Sequence, residues 1–551
     1  MSPSLGRDVL LDVLRTEGVR HIFGNPGSTE LPFMDALAGS DDFQYVLALQ
    51  EATAVAMADG YAQATRRPAF VNLHTSAGLG NAIGNLTNAQ ANRTPLVVTA
   101  GQQDYRHIHH DPLLSGDLVG LARATTKWAH ELRTPGEMAT LLRRAFRDAA
   151  APPPGPVFVS IPMNFLDEIL DDPAPPPSLV LRRAVADGID ELARLLVDTP
   201  RERLAIVAGD EIAESDAITA LVALAETLGV RVHGAPLHPT TVFPTVHPLW
   251  AGPLPAAATA LNTKLSSYDR VLLIGGNALM VYPYTPGPAL PESCELLHLS
   301  ADADEIGRAW PVRLGLAGDP RATLDALLSV VSSQVDKTAS AAALAAASTA
   351  KVESDAEREQ AILARYGDTP IHPAAAVHAL LRALPNDTIV VDEAITTGTY
   401  VRAAHRTTRG GRYYFAAGGG LGWGMPASVG LSLGFGGEPV VCVVGDGSAM
   451  YSPQALWSAA REGVPVLFVV VNNRQYLILK NNLRQMAGTS ATTGTFVGMD
   501  LDRPAVDYLA LARSMGVDAT LVETATEIGD AAQAALATGR PHVLEIPIAA
   551  P

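Results

Sequence analysis

Short apolar runs alternate with longer amphipathic stretches along most of the chain. Ala69–Leu73 and the run from Pro95 to Thr99 have the length and composition of buried strands, as do Pro439–Val444 and Pro465–Val471. Strands that alternate with helical stretches indicate parallel sheets with crossover helices. The predicted fold class is therefore α/β, with three doubly wound parallel-sheet domains.

Two parts of the chain repeat the same order of elements. Pro68–Gly101 and Pro439–Asn473 each run strand, glycine-rich turn, helix, proline and second strand. Either the two ends of the chain share one fold, or they look alike only because all βαβ units do. The middle of the chain carries its own strand candidates, Leu204–Ala208 and Arg270–Ile274.

Two segments are predicted to separate the domains. Asp171–Pro177 is acidic and proline-rich, which suits an extended connector. Ser332–Glu359 is rich in alanine and serine, which suits either a linker or a helix. The predicted domains are residues 1–172, 180–332 and 360–551.

Composition narrows the class of protein. The 551 residues include 57 acidic and 40 basic side chains, a net charge of −17, whereas a surface for nucleic acid or anionic membrane needs clustered Lys and Arg. Hydrophobic residues make up 48% and charged residues 18%, so the chain can bury large cores. The two cysteines, Cys294 and Cys442, cannot supply a disulfide framework.

The N-terminus and the apolar runs predict a soluble, cytoplasmic protein. Met1–Phe23 carries charged residues on a helical pattern, unlike a secretory signal. The longest apolar run, near Val464–Val471, is far shorter than a membrane helix requires.

The clearest candidate chemistry follows two predicted strands near the C-terminus. Gly445-Asp446-Gly447-Ser448 follows one strand, and Asn473 follows the next. Carboxyl ends of parallel strands meet at one sheet edge, so the Asp446 and Asn473 oxygens and a nearby carbonyl form a set that suits Mg²⁺ bound to a diphosphate. The glycines allow close approach to phosphate, and the helix expected after Ser448 favours anions. A lone Gly-Asp-Gly is usually a turn; the pairing with Asn-Asn makes the metal interpretation stronger.

Glu51 is the candidate proton donor or acceptor. It follows the apolar run Tyr45–Leu49 and precedes a small-residue helix, Ala52–Ala64. A carboxylate buried among apolar groups can exchange protons near neutrality. The alternative is a plain acid at a helix start, favoured by the helix dipole.

These motifs resemble those of thiamine-diphosphate-dependent enzymes, and among them the benzoylformate decarboxylases. The resemblance covers nearly the whole chain and is carried by Phe23–Ser28, Leu47–Ala52, Asn72–His74, Thr99–Gln103, Ala417–Gly422 and Gly445–Ser448. It implies a pyrimidine-binding first domain, a central domain and a diphosphate-binding last domain, with thiamine diphosphate and Mg²⁺ as cofactors. It also implies a homotetramer with active sites between subunits, in which Glu51 of one chain faces Asp446 of another.

The resemblance implies roles residue by residue. Glu51 matches the glutamate that hydrogen-bonds the aminopyrimidine ring, Leu421 the residue that holds the cofactor bent, and the Gly419 carbonyl an acceptor for the 4′-amino group. Ser28 matches a serine that contacts the substrate carboxylate, and His74 a histidine that relays protons. The implied metal ligands are Asp446, Asn473 and the backbone oxygen of Gln475. Further cofactor contacts are implied at Asn25, Pro26, Gly27, Thr396, Thr397, Gly447, Ser448 and Tyr476.

The sequence departs from this pattern at the second catalytic histidine. Tyr282 stands in its place, and a phenol is a weaker acid–base group than an imidazole near neutral pH. A possible compensation is the pair His109 and His110, because pyruvate decarboxylases carry adjacent histidines in a comparable loop. The alternative is a polar surface loop.

The second departure follows the metal motif. Leu477 and Ile478 stand where the benzoylformate enzymes have a small Gly-Ala pair, which narrows or reshapes the substrate pocket. Leu113 and Leu114 match pocket leucines and keep the pocket apolar.

The predicted activity is non-oxidative decarboxylation of a 2-oxo acid to an aldehyde and CO₂, with carboligation as a side activity. The predicted partner is this small-molecule substrate, with neither nucleic acid nor membrane. The alternatives are an acyl-CoA lyase or decarboxylase, an acetolactate-synthase-like carboligase, and an inactive relative that only binds the cofactor.

Overall fold

The computed structural model describes residues 4–170, 174–178, 180, 183–276 and 279–550. In these residues, three parallel sheets of six strands follow one another along the chain. The predicted fold class is therefore confirmed.

The first sheet has the strand order β3-β2-β4-β5-β7-β6. Its strands are β2 (His21–Gly24), β3 (Gln44–Leu47), β4 (Ala69–His74), β5 (Leu96–Gln102), β6 (Ala129–Glu131) and β7 (Val157–Pro162). The helices of this region are α1 (Gly6–Thr16), α2 (Leu31–Ala38), α3 (Glu51–Thr65), α4 (Thr75–Ala91), α5 (Leu118–Ala122) and α6 (Met138–Ala149). A short antiparallel ribbon pairs β1 (Ser4–Leu5) with β8 (Ile169–Leu170).

The central sheet has the order β11-β10-β9-β12-β13-β14. Its strands are β9 (Leu204–Ala208), β10 (Arg231–Gly234), β11 (Trp250–Pro253), β12 (Arg270–Ile274), β13 (Glu295–Ser300) and β14 (Leu314–Ala317). The helices are α7 (Ile189–Val197), α8 (Glu211–Glu214), α9 (Ile218–Leu228), α10 (Ala258–Leu265), α11 (Pro320–Val331) and α12 (Lys337–Leu363).

The last sheet has the order β16-β15-β17-β18-β20-β19. Its strands are β15 (Ile389–Glu393), β16 (Tyr413–Phe415), β17 (Val440–Gly445), β18 (Val466–Asn472), β19 (Asp518–Leu521) and β20 (His542–Pro547). The helices are α13 (Pro373–Arg382), α14 (Gly398–Ala404), α15 (Gly424–Gly434), α16 (Asp446–Ala449), α17 (Gln454–Glu462), α18 (Leu477–Gln485), α19 (Thr489–Thr493), α20 (Tyr508–Ser514) and α21 (Ala525–Ala537).

The first and last sheets share one topology, and the central sheet has another. With strands numbered from one within each sheet, both outer sheets have the order 2-1-3-4-6-5, whereas the central sheet has 3-2-1-4-5-6. The shared order confirms the interpretation that both ends of the chain have the same fold.

The two predicted connectors behave differently. Of Asp171–Pro177, residues 171–173 lie outside the described residues, and residues 174–177 form neither helix nor strand. Most of Ser332–Glu359 lies in α12, which confirms the helical alternative for that segment. Among the described residues, no helix combines the length and apolar character that crossing a bilayer requires.

The first and last regions pack closely through α3 and α15. A Cβ atom on Gly60 would lie 2.1 Å from the Ala427 carbonyl oxygen, and one on Gly430 would lie 1.8 Å from that of Met57. Only glycine permits this approach of two helix backbones. The buried Trp423 indole donates a hydrogen bond to the buried Asp59 carboxylate at 2.7 Å. The sheet edges of the two regions are therefore held in a fixed relation within one chain.

Candidate active site

A cleft with an empty volume of about 470 Å³ lies at the carboxyl edge of the last sheet. It opens beside the ends of β15, β17 and β18, which pair in parallel. Ligands of doubly wound sheets bind at this edge. Nine of the sequence-predicted residues line the cleft: Thr396, Thr397, Leu421, Asp446, Gly447, Ser448, Asn473, Gln475 and Tyr476.

The oxygens of Asp446 and Asn473 converge on one point of this cleft. The register of β17 and β18 pairs Gly445 with Val471, so both residues follow the ends of neighbouring strands. Asp446 Oδ2 and Asn473 Oδ1 both accept from the Gln475 backbone N–H, at 3.2 and 3.1 Å. In the described part of the chain, no three His, Cys, Asp or Glu side chains gather as a metal site. A carboxylate, an amide oxygen and a carbonyl nevertheless suit Mg²⁺, which prefers oxygen ligands and keeps several waters.

Asp446 is held rigidly. It is 5% exposed, and its Oδ1 accepts from the Gly447 N–H at 2.9 Å. The Tyr508 hydroxyl donates to the Asp446 carbonyl at 2.7 Å. Burial raises the pKa of this carboxyl, and the surrounding backbone N–H groups oppose that rise. The helix expected after Ser448 is present as α17, and the short helix α16 precedes it because the chain turns directly out of β17.

Tyr476 forms one wall of the cleft. A Cβ atom on Gly447 would lie 2.4 Å from the Tyr476 ring, so glycine is needed where the ring packs on the backbone. The Tyr476 N–H donates to the Met499 carbonyl at 2.9 Å. An ion pair between Lys480 and Asp500 ties α18 to the same neighbouring segment.

The turn that carries Leu421 is fixed by hydrogen bonds from two directions. Glu393, at the end of β15, accepts from the N–H groups of Gly422 and Gly424, and burial raises the pKa of its carboxyl to about 7. Asn88 of α4 contacts Gly420 twice: its Oδ1 accepts from the Gly420 N–H at 3.0 Å, and its Nδ2 donates to the Gly420 carbonyl at 2.9 Å. Gly419 has a φ of +68°, a conformation that favours glycine.

A second group of predicted residues lies in the first region. Glu51 is the first residue of α3 and is 8% exposed. Its Oε1 accepts from Asn25 Nδ2 at 3.1 Å, and its Oε2 accepts from Asn81 Nδ2 at 3.0 Å. Burial is confirmed, but the expected apolar surroundings are wrong in part: the loop after β2 and the start of α4 bring amide donors to the carboxylate.

His74 lies at the end of β4 and contacts a buried acid. Its Nδ1 is 2.9 Å from Glu30 Oε2 and 3.0 Å from Thr29 Oγ1. Glu30 is 2% exposed and also accepts from the N–H groups of Gly27 and Gly101, at 3.0 and 2.9 Å. A Cβ atom on Gly27 would lie 2.1 Å from the His74 ring, so the predicted cofactor loop packs directly on the histidine.

Other predicted residues lie on the surface of the single chain. Pro26 and Ser28 are exposed on the loop that holds Gly27. His109 and His110 are exposed in the turn Ile108–His110, with ring centroids 3.9 Å apart. Tyr282 is 64% exposed in the central region.

The predicted residues therefore fall into two separate groups. Every described residue that lines the cleft belongs to the last region, and none to the group around Glu51 and His74. Among the described contacts, none joins Tyr282, His109 or His110 to Glu51 or Asp446.

Three residues that organise these groups were not found from the sequence. Glu30 and Glu393 act through contacts between distant segments, and no local motif marks them. Asn81 did leave a signal, because asparagines recur at helical spacing along α4 at positions 81, 85, 88 and 92.

Comparison with known families matches all three regions. The model of the thiamine pyrophosphate enzyme N-terminal TPP binding domain matches residues 5–124. The central-domain model matches residues 189–327, and the C-terminal TPP binding domain model matches residues 396–546. The chain belongs to the thiamine pyrophosphate enzymes. The resemblance seen in the sequence is confirmed, and thiamine diphosphate is the cofactor of this family.

Among these enzymes, the chain is similar to benzoylformate decarboxylase of Pseudomonas aeruginosa, with 35% identity over 543 residues and 97% of each chain covered. The crystal structure of benzoylformate decarboxylase from Polynucleobacter necessarius superposes with a TM-score of 0.87 at 30% identity, covering 99% of each chain. Sulfoacetaldehyde acetyltransferase of Rhodobacter capsulatus is 28% identical over 552 residues, covering 96% of this chain and 91% of the relative. The family therefore includes relatives with more than one named activity.

Proposed function

We propose that this protein is a thiamine-diphosphate- and Mg²⁺-dependent decarboxylase of 2-oxo acids that releases CO₂ and an aldehyde, with carboligation as a side activity. The observation that carries the proposal is the convergence of the Asp446 and Asn473 oxygens, at 3.2 and 3.1 Å from one backbone nitrogen, in the cleft that Leu421 lines. The 35% identity to a benzoylformate decarboxylase supports decarboxylation among the activities of the family.

The cleft residues fit both parts of the cofactor. Asp446, Asn473 and the Gln475 carbonyl would hold Mg²⁺, and Leu421 with the Gly419 carbonyl would hold the rings. The diphosphate contacts would come from Thr396, Thr397, Gly447, Ser448 and Tyr476, and further contacts from Asn25, Pro26 and Gly27. When bound, thiamine diphosphate supplies a thiazolium ring that accepts the electrons left by departing CO₂.

Glu51 would hold a proton at its carboxylate and exchange it with the aminopyrimidine. The amides of Asn25 and Asn81 each donate to one carboxylate oxygen, which fixes the orientation of the group. A proton-transfer group must be held within hydrogen-bond reach of its target, and these two donors supply that fixed position.

His74 would move a proton at Nε2. The carboxylate of Glu30 contacts Nδ1 at 2.9 Å, so the ring keeps a proton on Nδ1 and leaves Nε2 for exchange. Ser28, exposed two residues before Glu30, would bind the substrate carboxylate. Tyr282, His109 and His110 would reach the substrate from their exposed positions in the assembled protein.

Two chains would together form each site, within a homotetramer in the cytoplasm. Among the described residues, those lining the cleft around Asp446 include none of the first region, although the proposed chemistry needs Glu51. Large apolar side chains are exposed beside both groups. Leu49, two residues before Glu51, is 46% exposed, and Leu31, next to Glu30, is 61% exposed; Met450 and Tyr451, which follow Ser448 closely in the chain, are 42% and 56% exposed. Exposed apolar side chains beside a polar site favour contact with a second copy.

The central region argues against a CoA or dinucleotide ligand. Its strand order is that of dinucleotide-binding sheets, whose ligand enters where the order reverses, here between β9 and β12. Glu211 follows β9 at this point and pairs with Arg93 of the first region at 2.9 Å. A Cβ atom on Gly276 would lie 2.4 Å from the Arg93 guanidinium. The buried Glu211 carboxylate and the Arg93 side chain from the first region therefore occupy the place that the diphosphate of a nucleotide would need.

The test is CO₂ release from benzoylformate, pyruvate and longer aliphatic 2-oxo acids, with and without thiamine diphosphate and Mg²⁺. We expect release from at least one apolar 2-oxo acid that requires both cofactors. Cofactor-dependent turnover of an acyl-CoA with no release from any 2-oxo acid would contradict the proposal. Ligation of two 2-oxo acids as the main reaction would favour the carboligase alternative.

A further inference from the structure

One face of helix α4 carries four asparagines. Asn81, Asn85, Asn88 and the helix C-cap Asn92 follow one another at intervals of three and four residues, so they form a single stripe. Asn85 is 3% and Asn88 1% exposed. Burying amides is costly unless each finds hydrogen-bond partners, so the partners of this stripe are informative.

At one end, the stripe contacts the start of α3. Asn81 Nδ2 donates to Glu51 Oε2 at 3.0 Å. Asn85 Nδ2 donates to the carbonyl of Ala52, the residue after Glu51, at 2.8 Å. These contacts fix both the carboxylate and the backbone beside it.

Towards the other end, the same stripe contacts the turn of the last region that carries Leu421. Asn85 Nδ2 also reaches the Gly422 carbonyl at 3.3 Å, and Asn88 makes two hydrogen bonds to Gly420. Asn88 Nδ2 donates to Asn85 Oδ1 at 2.8 Å, which joins the neighbouring amides. Asn92 Oδ1 accepts from the Ala417 N–H at 2.8 Å.

From these contacts we infer that the asparagine stripe of α4 is a positioning element that holds Glu51 and the Leu421 turn in a fixed relation. The inference rests on the proposed function, in which Glu51 of one chain and Leu421 of the other serve the same cofactor. One chain therefore offers Glu51 to one site and Leu421 to the second. The stripe joins these two contributions, and Asn85 contacts both through a single amide nitrogen.

The first test replaces Asn88, whose contacts lie on the Leu421 turn. We expect Asn88→Ala to weaken thiamine diphosphate binding about tenfold, as loss of a supporting hydrogen bond does at other sites. Binding of inorganic diphosphate with Mg²⁺ is expected to stay unchanged, because the described side-chain hydrogen bonds of Asn88 go to Asn85 and Gly420 and not to Asp446, Asn473 or Ser448. The near-ultraviolet circular dichroism of the bound cofactor is expected to change, because the Leu421 turn of the variant would no longer hold the cofactor rings in the same position.

The control is Gln90→Ala, which changes an exposed residue of the same helix and is expected to match wild type. Asn88→Asp is a second variant, in case Asn88→Ala does not fold; it keeps the acceptor for the Gly420 N–H but loses the donor. Wild-type affinity and spectrum in the Asn88 variants would overturn the inference, and so would equal losses for thiamine diphosphate and diphosphate. Failure of wild type to bind thiamine diphosphate would instead refute the proposed function.

The second test uses hybrid pairs of one wild-type and one variant chain. A Glu51→Gln chain removes one site, so its hybrid should keep about half of the wild-type activity. An Asn85→Ala chain should lower both sites, and its hybrid should fall clearly below half. Activity at or above half in the Asn85→Ala hybrid, from a variant that is nearly inactive when paired with itself, would show that the stripe serves only one site and would overturn the inference. Full activity in the paired variant would overturn the role of Asn85 directly.

Discussion

The first and last regions of the chain have the same strand order but different chemistry at the same sheet edge. In the first, β4 ends at His74 and the loop after β2 holds Asn25 to Ser28. In the last, the equivalent strand β17 is followed by Asp446, and the equivalent loop after β15 holds Thr396 and Thr397. One edge thus presents groups suited to proton transfer, and the other presents oxygens suited to a metal and a loop suited to binding phosphate.

The first and last regions hold the loops at their sheet edges in the same way. Each edge buries one glutamate whose oxygens accept backbone N–H groups: Glu30 from Gly27 and Gly101, and Glu393 from Gly422 and Gly424. Carboxylates that accept such bonds hold mobile turns in one geometry. In both regions the parallel sheet places the loops at its carboxyl edge, and a buried glutamate fixes the backbone of those loops.

The largest expected effect is at the proton-transfer edge. Glu51→Gln keeps the size of the side chain and its acceptor oxygen but cannot take up a proton, so we expect turnover to fall by roughly 10³-fold or more. Thermal unfolding should be nearly unchanged, and so should diphosphate binding. Turnover within a few-fold of wild type would contradict the role given to Glu51.

At the carboxyl edge of the last sheet, the corresponding substitution is Asp446→Asn. Removing the one charged side chain of the proposed Mg²⁺ site should weaken Mg²⁺-dependent binding of thiamine diphosphate by roughly 10- to 100-fold. Calorimetric titration at several Mg²⁺ concentrations measures this directly. If the affinity and its Mg²⁺ dependence stay as in wild type, Asp446 is not a metal ligand. Glu51→Gln is the control, because it should affect turnover far more than this affinity.

The buried Glu393 of the last region predicts how the stability of the protein depends on pH. Burial raises the pKa of Glu393 to about 7 from 4.5, so the folded protein binds this proton more tightly than the unfolded chain. The stability that this group contributes is greatest below pH 4.5 and is lost as the pH rises towards 7. The free energy of unfolding of Glu393→Gln, relative to wild type, should therefore rise by roughly 3 kcal/mol across that range. If the free energies of unfolding of wild type and Glu393→Gln change with pH in the same way, the raised pKa of Glu393 is refuted.

The smallest effect is expected for the buried acid of the first region. Glu30→Gln keeps the shape of the side chain but no longer fixes the His74 proton on Nδ1, so kcat should fall by roughly tenfold with little change in KM. Glu30→Asp, which retains the charge, should recover part of the loss. An equal loss in both variants, with a lowered unfolding temperature, would indicate a purely structural role.

The sequence predicted most of the fold because continuous apolar runs are typical of buried parallel strands. Leu204–Ala208 and Arg270–Ile274 match β9 and β12 from end to end. The convergence of Asp446 and Asn473 was also predictable, because parallel strands bring their carboxyl ends together. Glu30 and Glu393 could not be found in this way, since the contacts of Glu30 with His74 and Gly101, and those of Glu393 with the Gly422 turn, join segments that are distant along the chain. The separation of Glu51 from the cleft was implied only by the family resemblance, because spacing alone does not say which residues of one chain share a site.

The most direct test of the account mixes Glu51→Gln with Asp446→Asn, assayed at a thiamine diphosphate concentration that saturates wild-type sites but leaves Asp446→Asn sites empty. If each site joins the first region of one chain to the last region of another, co-expressed variants form hybrid pairs with one intact site. Activity should then recover to about one quarter of wild type, because random pairing makes half of the pairs hybrid. Co-purified chains that remain as inactive as either variant alone would contradict a site assembled from two chains.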